Sequence, residues 1–321
     1  MTRRDFVRLT TTGAVAASAG FSASAVESPR RAASGKTDVI RILGVPFTSK
    51  EGEVAANVEG AVQVIKGETA RSRVDLVILP ELFTCGYAGP DLSPYAESVD
   101  GPSARKFEEL SNDLDVLIGF GLAESTGRRK VHNSWILIEP GGKKHVYRKT
   151  HLHPTEAGGK TNEPELFLPG KTLEPFSTRL GSIGVMICYD GCFVEVPRVL
   201  ALKGADLILW PSRSGGYLAG QSLPHVRSLD NVIATVLVEG GQTGPNLPTQ
   251  SFSAVYSENG SRMISQKNDD KPFRVDIDVA RAGSCGLPLM RARIVFTGRG
   301  GRNFMGRLGR SFDTRERPKA A

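Results

Sequence analysis

The 321 residues predict a layered α/β sandwich with mixed sheets. Short apolar runs alternate with longer stretches whose apolar residues recur at helical spacing, the pattern of strands joined by helices. Other pairs of apolar runs are separated only by tight turn signals, which adds antiparallel hairpins. Behind an N-terminal leader about three hundred residues remain, enough for one large core.

VIRILGV (39–45) reads as the first strand, and 53–66 as a helix, with Ala55, Val58, Ala61, Val62 and Ile65 on one face. VDLVILPE (74–81) is a buried strand ended by Pro80, 104–114 a second helix, and VLIGFG (116–121) a third strand. SWILI and KHVYRK, joined by EPGGK, form a hairpin. IGVMIC (183–188) is the next strand, followed by a helix over 194–203, the strand ADLILW (205–210), a helix around 225–232 and the strand IATVLVE (233–239). SFSAVYS, RMISQ and FRVDID close the domain as strands, the first two joined by a turn at Asn259 and Gly260. No internal repeat is visible in the sequence.

The two ends differ from this body. TRRDFVR at 2–8, a weakly apolar stretch over 9–25 and the small-residue pattern ASA predict a twin-arginine export signal cleaved after Ala25, and so a periplasmic or otherwise exported protein. The expected organisation is a signal and linker at 1–36, the α/β domain at 37–287, and a basic Gly/Arg-rich extension at 288–321. No later run is long and apolar enough for stable membrane insertion. The formal charge of +7 resides at the ends: residues 1–25 carry +2, residues 291–321 carry +7, and the middle carries −2. A basic tail without a basic body argues against a nucleic-acid partner. The four cysteines, Cys85, Cys188, Cys192 and Cys285, are expected as free thiols, because a domain of this size needs no staples and twin-arginine substrates fold in a reducing compartment.

Three polar residues each follow an apolar strand: Glu81 after LVILP, Lys149 after HVYR and Cys188 after GVMI. Strand ends can bring such groups into one pocket. A carboxylate, an ammonium and a thiol together suit acyl transfer, with Glu81 as general base, Cys188 as nucleophile, and Lys149 and the backbone N–H of Tyr189 as oxyanion donors. Taken singly, each residue has a bland alternative: a packed thiol, a capping glutamate, a solvated lysine.

The words around them narrow the choice. LPELFTCGY, YRKTHL and ICYDGCFVEVPRVLALKGADLILWPS resemble, in order and separation, the three catalytic blocks of the carbon-nitrogen hydrolase (nitrilase) superfamily. The resemblance runs from about residue 39 to about 277 and includes HNSWILIEPGGK and LDNVIATVLVEGG. It implies a four-layer αββα sandwich with two mixed sheets, a homodimer or larger homo-oligomer, a Glu81-Lys149-Cys188 triad, and neither a metal nor an organic cofactor. Members often carry a second glutamate near the lysine. Glu156, Glu163 and Glu165 are the candidates, and counting back from LFLPG favours Glu163.

CYD after the strand resembles the amidase and N-carbamoyl-amine hydrolase branches. The implied activity is hydrolysis of a small linear amide or carbamoyl compound through a thioester, with ammonia release; an amide-forming acyltransferase and a non-catalytic binding or scaffold protein are the alternatives. Tyr87, Cys192, Trp210, Arg213, Ser214 and Tyr217 fall on segments expected to border the substrate pocket. Four histidines, His132, His145, His151 and His153, lack the spacing of zinc ligands. Glu195 and Arg198, three apart, are expected to pair on the helix after the cysteine.

Overall fold

A computed structural model describes residues 39–154, 162–214, 222–241, 251–267 and 269–279. The expected signal, the basic tail, Cys285, Glu156 and Tyr217 lie outside them. Twelve strands and five α-helices follow in order among the described residues: β1 (Val39–Gly44), α1 (Val54–Thr69), β2 (Leu76–Ile78), α2 (Pro102–Leu114), β3 (Leu117–Glu124), β4 (His132–Ile138), β5 (Lys144–Arg148), α3 (Glu163–Leu166), β6 (Phe176–Thr178), β7 (Gly181–Val185), α4 (Glu195–Leu202), β8 (Leu207–Ser212), α5 (Leu223–Asn231), β9 (Ala234–Glu239), β10 (Phe252–Tyr256), β11 (Arg262–Lys267) and β12 (Phe273–Asp278).

The strands form two six-stranded mixed sheets, ordered β12-β1-β2-β3-β4-β5 and β6-β7-β8-β9-β10-β11. Read in those directions, both sheets show the same series of pairings: antiparallel, parallel, parallel, antiparallel, antiparallel. The topology thus repeats although the sequence does not. Backbone pairing constrains chain direction, and alternating burial leaves residue identity free.

Burial builds the layers. Ile40, Ile42, Ile78 and Leu137 of one sheet pack against Val185, Leu209, Val236 and Val255 of the other in the central core. On the outer face of the first sheet, Val77, Ile118 and Ile136 meet Val58, Val62 and Ile65 of α1 and Phe107 and Leu110 of α2. On the outer face of the second, Met186, Ile208, Trp210 and Leu237 meet Val196 and Leu200 of α4. The order helix, sheet, sheet, helix is the four-layer αββα sandwich.

Several boundaries moved for local reasons. β2 is only three residues long, because Pro80 has no N–H to continue the ladder. β8 runs two residues past Trp210, with Pro211 at a strand position opposite Val238. β6 and α3 escaped sequence reading because three or four residues cannot display a period. Arg198 donates to the Asp230 carbonyl at 2.6 Å and has no ion pair with Glu195.

At the end of β4, buried Glu139 ties the two sheets together. It accepts from the Arg179 backbone N–H at 2.9 Å in the β6–β7 turn, and His145 Nε2 lies 2.7 Å from its other oxygen. Burial raises its pKa, but bonds from His145, Arg179 and Lys143 outweigh this and hold it below 4.5. A depressed carboxyl contributes stability that is present above its unfolded pKa and lost as pH falls through the folded one. Glu139→Gln is therefore expected to lower Tm at neutral pH and to shrink that deficit below about pH 4; thermal melts of both proteins across the acid range check it.

Candidate functional site

Strand direction gathers the site. β5 is antiparallel to β4, which is antiparallel to β3, so β5 runs the same way as β2 and β3. Glu81 beyond β2 and Lys149 beyond β5 therefore emerge at one edge. β7, β8 and β9 are mutually parallel and bring Cys188, Arg213 and Glu239 to a common edge of the second sheet.

Lys149 Nζ donates to Glu81 Oε1 at 2.8 Å and to Glu163 Oε1 at 2.8 Å. Glu81, Lys149 and Glu163 are 0%, 1% and 2% exposed, and Cys188 as a whole residue is 9% exposed. Burial is the largest influence on Lys149 and pulls its pKa down, but Glu81, Glu163 and Cys188 together drive it well above 10.5. The Cys188 thiol is pushed well above 9 by burial first and by Glu81 next; Lys149 opposes the rise, Glu163 adds to it, and the Ser212 hydroxyl lowers it. That hydroxyl is buried and makes no hydrogen bond of ordinary geometry.

Backbone geometry aims these groups. Cys188 has φ +44°, in the left-handed region, and begins a 3₁₀ turn over Cys188–Cys192. Such a residue is held only where its surroundings insist. The Trp210 indole N–H donates to the Cys188 carbonyl at 2.9 Å, and Arg227 from α5 donates to the carbonyls of Gly191 and Cys192 at 2.8 and 3.0 Å. A Cβ on Gly191 would lie 2.0 Å from the Trp210 ring, so only glycine lets the turn rest there. Tyr189 occupies the first turn of this 3₁₀ segment, where amides lack partners within the helix. Gly121 of β3 does for Glu81 what Gly191 does for Cys188: a Cβ there would meet the Leu82 backbone nitrogen at 2.4 Å.

Glu81 is fixed at both oxygens. Asn133 Nδ2 donates to Oε1 at 2.7 Å and the Arg213 backbone N–H to Oε2 at 2.9 Å. Glu163 opens the short α3. Its Oε1 also accepts from the Tyr87 hydroxyl at 2.5 Å, and its Oε2 from the His153 N–H at 2.6 Å. Glu165 instead accepts from Asn162 at the surface.

The expected pocket-wall residues do not act alike. Tyr87 bridges toward both glutamates, its hydroxyl 3.4 Å from Glu81 Oε1. Trp210 does not border the mouth: its ring is fully buried in the outer sheet–helix layer, because side chains alternate along β8 and position 210 faces α4. Arg213 is 3% exposed; its backbone N–H holds Glu81, and its guanidinium, with Nη2 3.1 Å from where a Cβ on Gly86 would stand, interacts electrostatically with Tyr87, Glu51 and Glu81. Ser214 donates its N–H at 2.7 Å and its hydroxyl to buried Glu239. Cys192 is half-buried against the outer layer, and Cys85, Cys188 and Cys192 are free thiols. Asn133, Arg227, Glu239 and Asp190 were not singled out from sequence, since a lone polar residue carries no signal until its partners are known.

Among the described residues no group of three or more His, Cys, Asp or Glu stands close enough to hold a metal ion. Two surface clefts, near Lys66 and Arg73 and near Gly52 and Tyr95, contain none of these buried groups. What the arrangement offers is an ammonium clamped by two carboxylates beside a protonated thiol. Because its pKa is raised, Cys188 is expected to react slowly with iodoacetamide at pH 7 and to accelerate up to and beyond pH 9; adduct formation on the Cys188 peptide, followed by mass spectrometry, reads this, and a plateau below pH 8 would contradict it.

Residues 40–270 match the family described as carbon-nitrogen hydrolase. An omega-amidase of Danio rerio is 31% identical over 236 residues, covering 71% of this chain and 84% of its own. A nitrilase of Pyrococcus abyssi is 31% identical over 206 residues, covering 63% and 75%. Among solved structures, a carbon-nitrogen hydrolase of Helicobacter pylori superposes with a TM-score of 0.69 at 21% identity, covering 80% of this chain and 96% of that one.

Proposed function

The chain belongs to the carbon-nitrogen hydrolase (nitrilase) superfamily, and on that premise we propose that it is a cysteine-dependent amidohydrolase releasing ammonia from a small linear amide or N-carbamoyl compound. The observation that carries the reading is Lys149 Nζ at 2.8 Å from both Glu81 and Glu163 with the Cys188 thiol in their field. The name omega-amidase borne by the Danio rerio relative supports an amide substrate.

In this reaction Glu81 takes the Cys188 proton as sulfur attacks the amide carbon. The oxyanion that forms is met by the Lys149 ammonium and the Tyr189 N–H. Collapse of the tetrahedral intermediate breaks the C–N bond, and Glu81 hands its proton to the leaving nitrogen, which departs as ammonia. A thioester remains on Cys188. Glu81 then accepts a proton from water as the water attacks the thioester; the C–S bond breaks, the acid departs, and the proton returns to sulfur. Because the thiol rests protonated, the base must work in every turnover. Glu163 accepts a second bond from Lys149 and so keeps the ammonium charged and aimed.

Cys188→Ala is expected to abolish ammonia release across a panel of amides and ureides, and Glu81→Gln to lower kcat by about 10²-fold or more. Ammonia assays on the folded variants check both. A Cys188→Ala protein that works at the parental rate would end this reading.

A further inference from the structure

Asp190 lies two residues past Cys188 and is wholly buried. Its Oδ2 accepts from the Ile187 backbone N–H at 2.9 Å and from the Tyr147 hydroxyl at 2.8 Å. Its Oδ1 accepts from the Thr150 hydroxyl at 2.9 Å and from the His151 backbone N–H at 2.8 Å, with His151 Nδ1 at 3.0 Å. Ile187 immediately precedes Cys188. Tyr147 stands two residues before Lys149, and Thr150 and His151 directly follow it. One carboxylate therefore grips the chain next to the thiol and on both sides of the ammonium.

The two groups it joins come from different sheets. Between those sheets the core is apolar, and apolar contact is non-directional. It holds the layers together without setting the thiol's position against the ammonium. Hydrogen bonds to charged acceptors are short and directional. We infer that Asp190 is a positioning residue, whose carboxylate sets the spacing between Cys188 and Lys149 across the two sheets; the inference rests on the catalytic reading above and deepens it.

The carboxylate form is required by its partners. Each oxygen faces one backbone N–H, Ile187 on one side and His151 on the other. An asparagine in either flip would turn its NH₂ toward a backbone N–H that cannot accept, leaving two buried donors facing each other. Tyr147 and Thr150 could rotate their hydroxyls to adapt; the peptide groups could not.

The test compares Asp190→Asn and Thr150→Val with the parent, reading kcat and KM for ammonia release and, independently of any substrate, the pH profile of iodoacetamide labelling at the Cys188 peptide. Asp190→Asn is expected to lose about 100-fold in kcat, as a misplacement near 1 Å can do, with KM little changed. With the ammonium withdrawn, its labelling profile should move up by about one pH unit. Thr150→Val, which removes only a side-chain donor and keeps both backbone contacts, should show smaller changes in the same directions, and it decides the matter if the asparagine variant does not fold. A folded Thr150→Val protein with the parental labelling profile, whatever its activity, would overturn the inference. Failure of the catalytic reading would look different: Cys188→Ala would stay active while the profile shifts persisted.

Discussion

A lysine ammonium buried between two carboxylates is the constraint around which the rest of this molecule is organised. Lys149 Nζ lies 2.8 Å from Glu81 and from Glu163, and all three side chains are essentially out of water. Removing charges from water is costly, and mutual attraction offsets that cost only when the geometry is good and the remaining lone pairs are met. Here they are met: Asn133 and the Arg213 N–H complete Glu81, while Tyr87 and the His153 N–H complete Glu163. The formal charges sum to −1, and the Cys188 thiol keeps its proton first because it is buried and next because of the Glu81 charge. Burial and the same carboxylates that stabilise the lysine thus make the proposed nucleophile dependent on its base.

The fold's task is to bring this cluster together from distant parts of the chain. Parallel strands deliver several groups to one edge, and two left-handed, non-glycine residues, Leu82 after Glu81 and Cys188 itself, turn the chain sharply where it leaves a strand. Close approaches that leave room only for glycine, at Gly121 and Gly191, let neighbouring elements brace those turns. Trp210 and Arg227 then hold the carbonyls of the cysteine turn from the helix side. Packing supplies adhesion, and directed hydrogen bonds supply the geometry.

The sequence made legible what depends on local pattern. Apolar runs located nearly every strand, helical spacing located α1 and α2, and the residue following each of three strands marked Glu81, Lys149 and Cys188. Glu163 was reached by counting within a resemblance, and it stands against Lys149 while Glu165 points to the surface. What pattern could not show is partnership between residues far apart in sequence. Asp190 meets Tyr147 across 43 positions, and Arg213 meets Glu81 across 132. Trp210 lies in the outer layer for a related reason: proximity in sequence to the pocket does not say which face of a strand a side chain occupies.

The charge on Lys149 is the quantity on which all of this turns. With lysine side chains labelled at Nζ by ¹⁵N, NMR can follow each ammonium through a pH titration, the Lys149 signal being assigned by its absence in Lys149→Met. The account predicts that this one ammonium stays protonated after the surface lysines have titrated near pH 10.4, for as long as the fold persists. A Lys149 that loses its proton with the surface lysines, or before them, would contradict it.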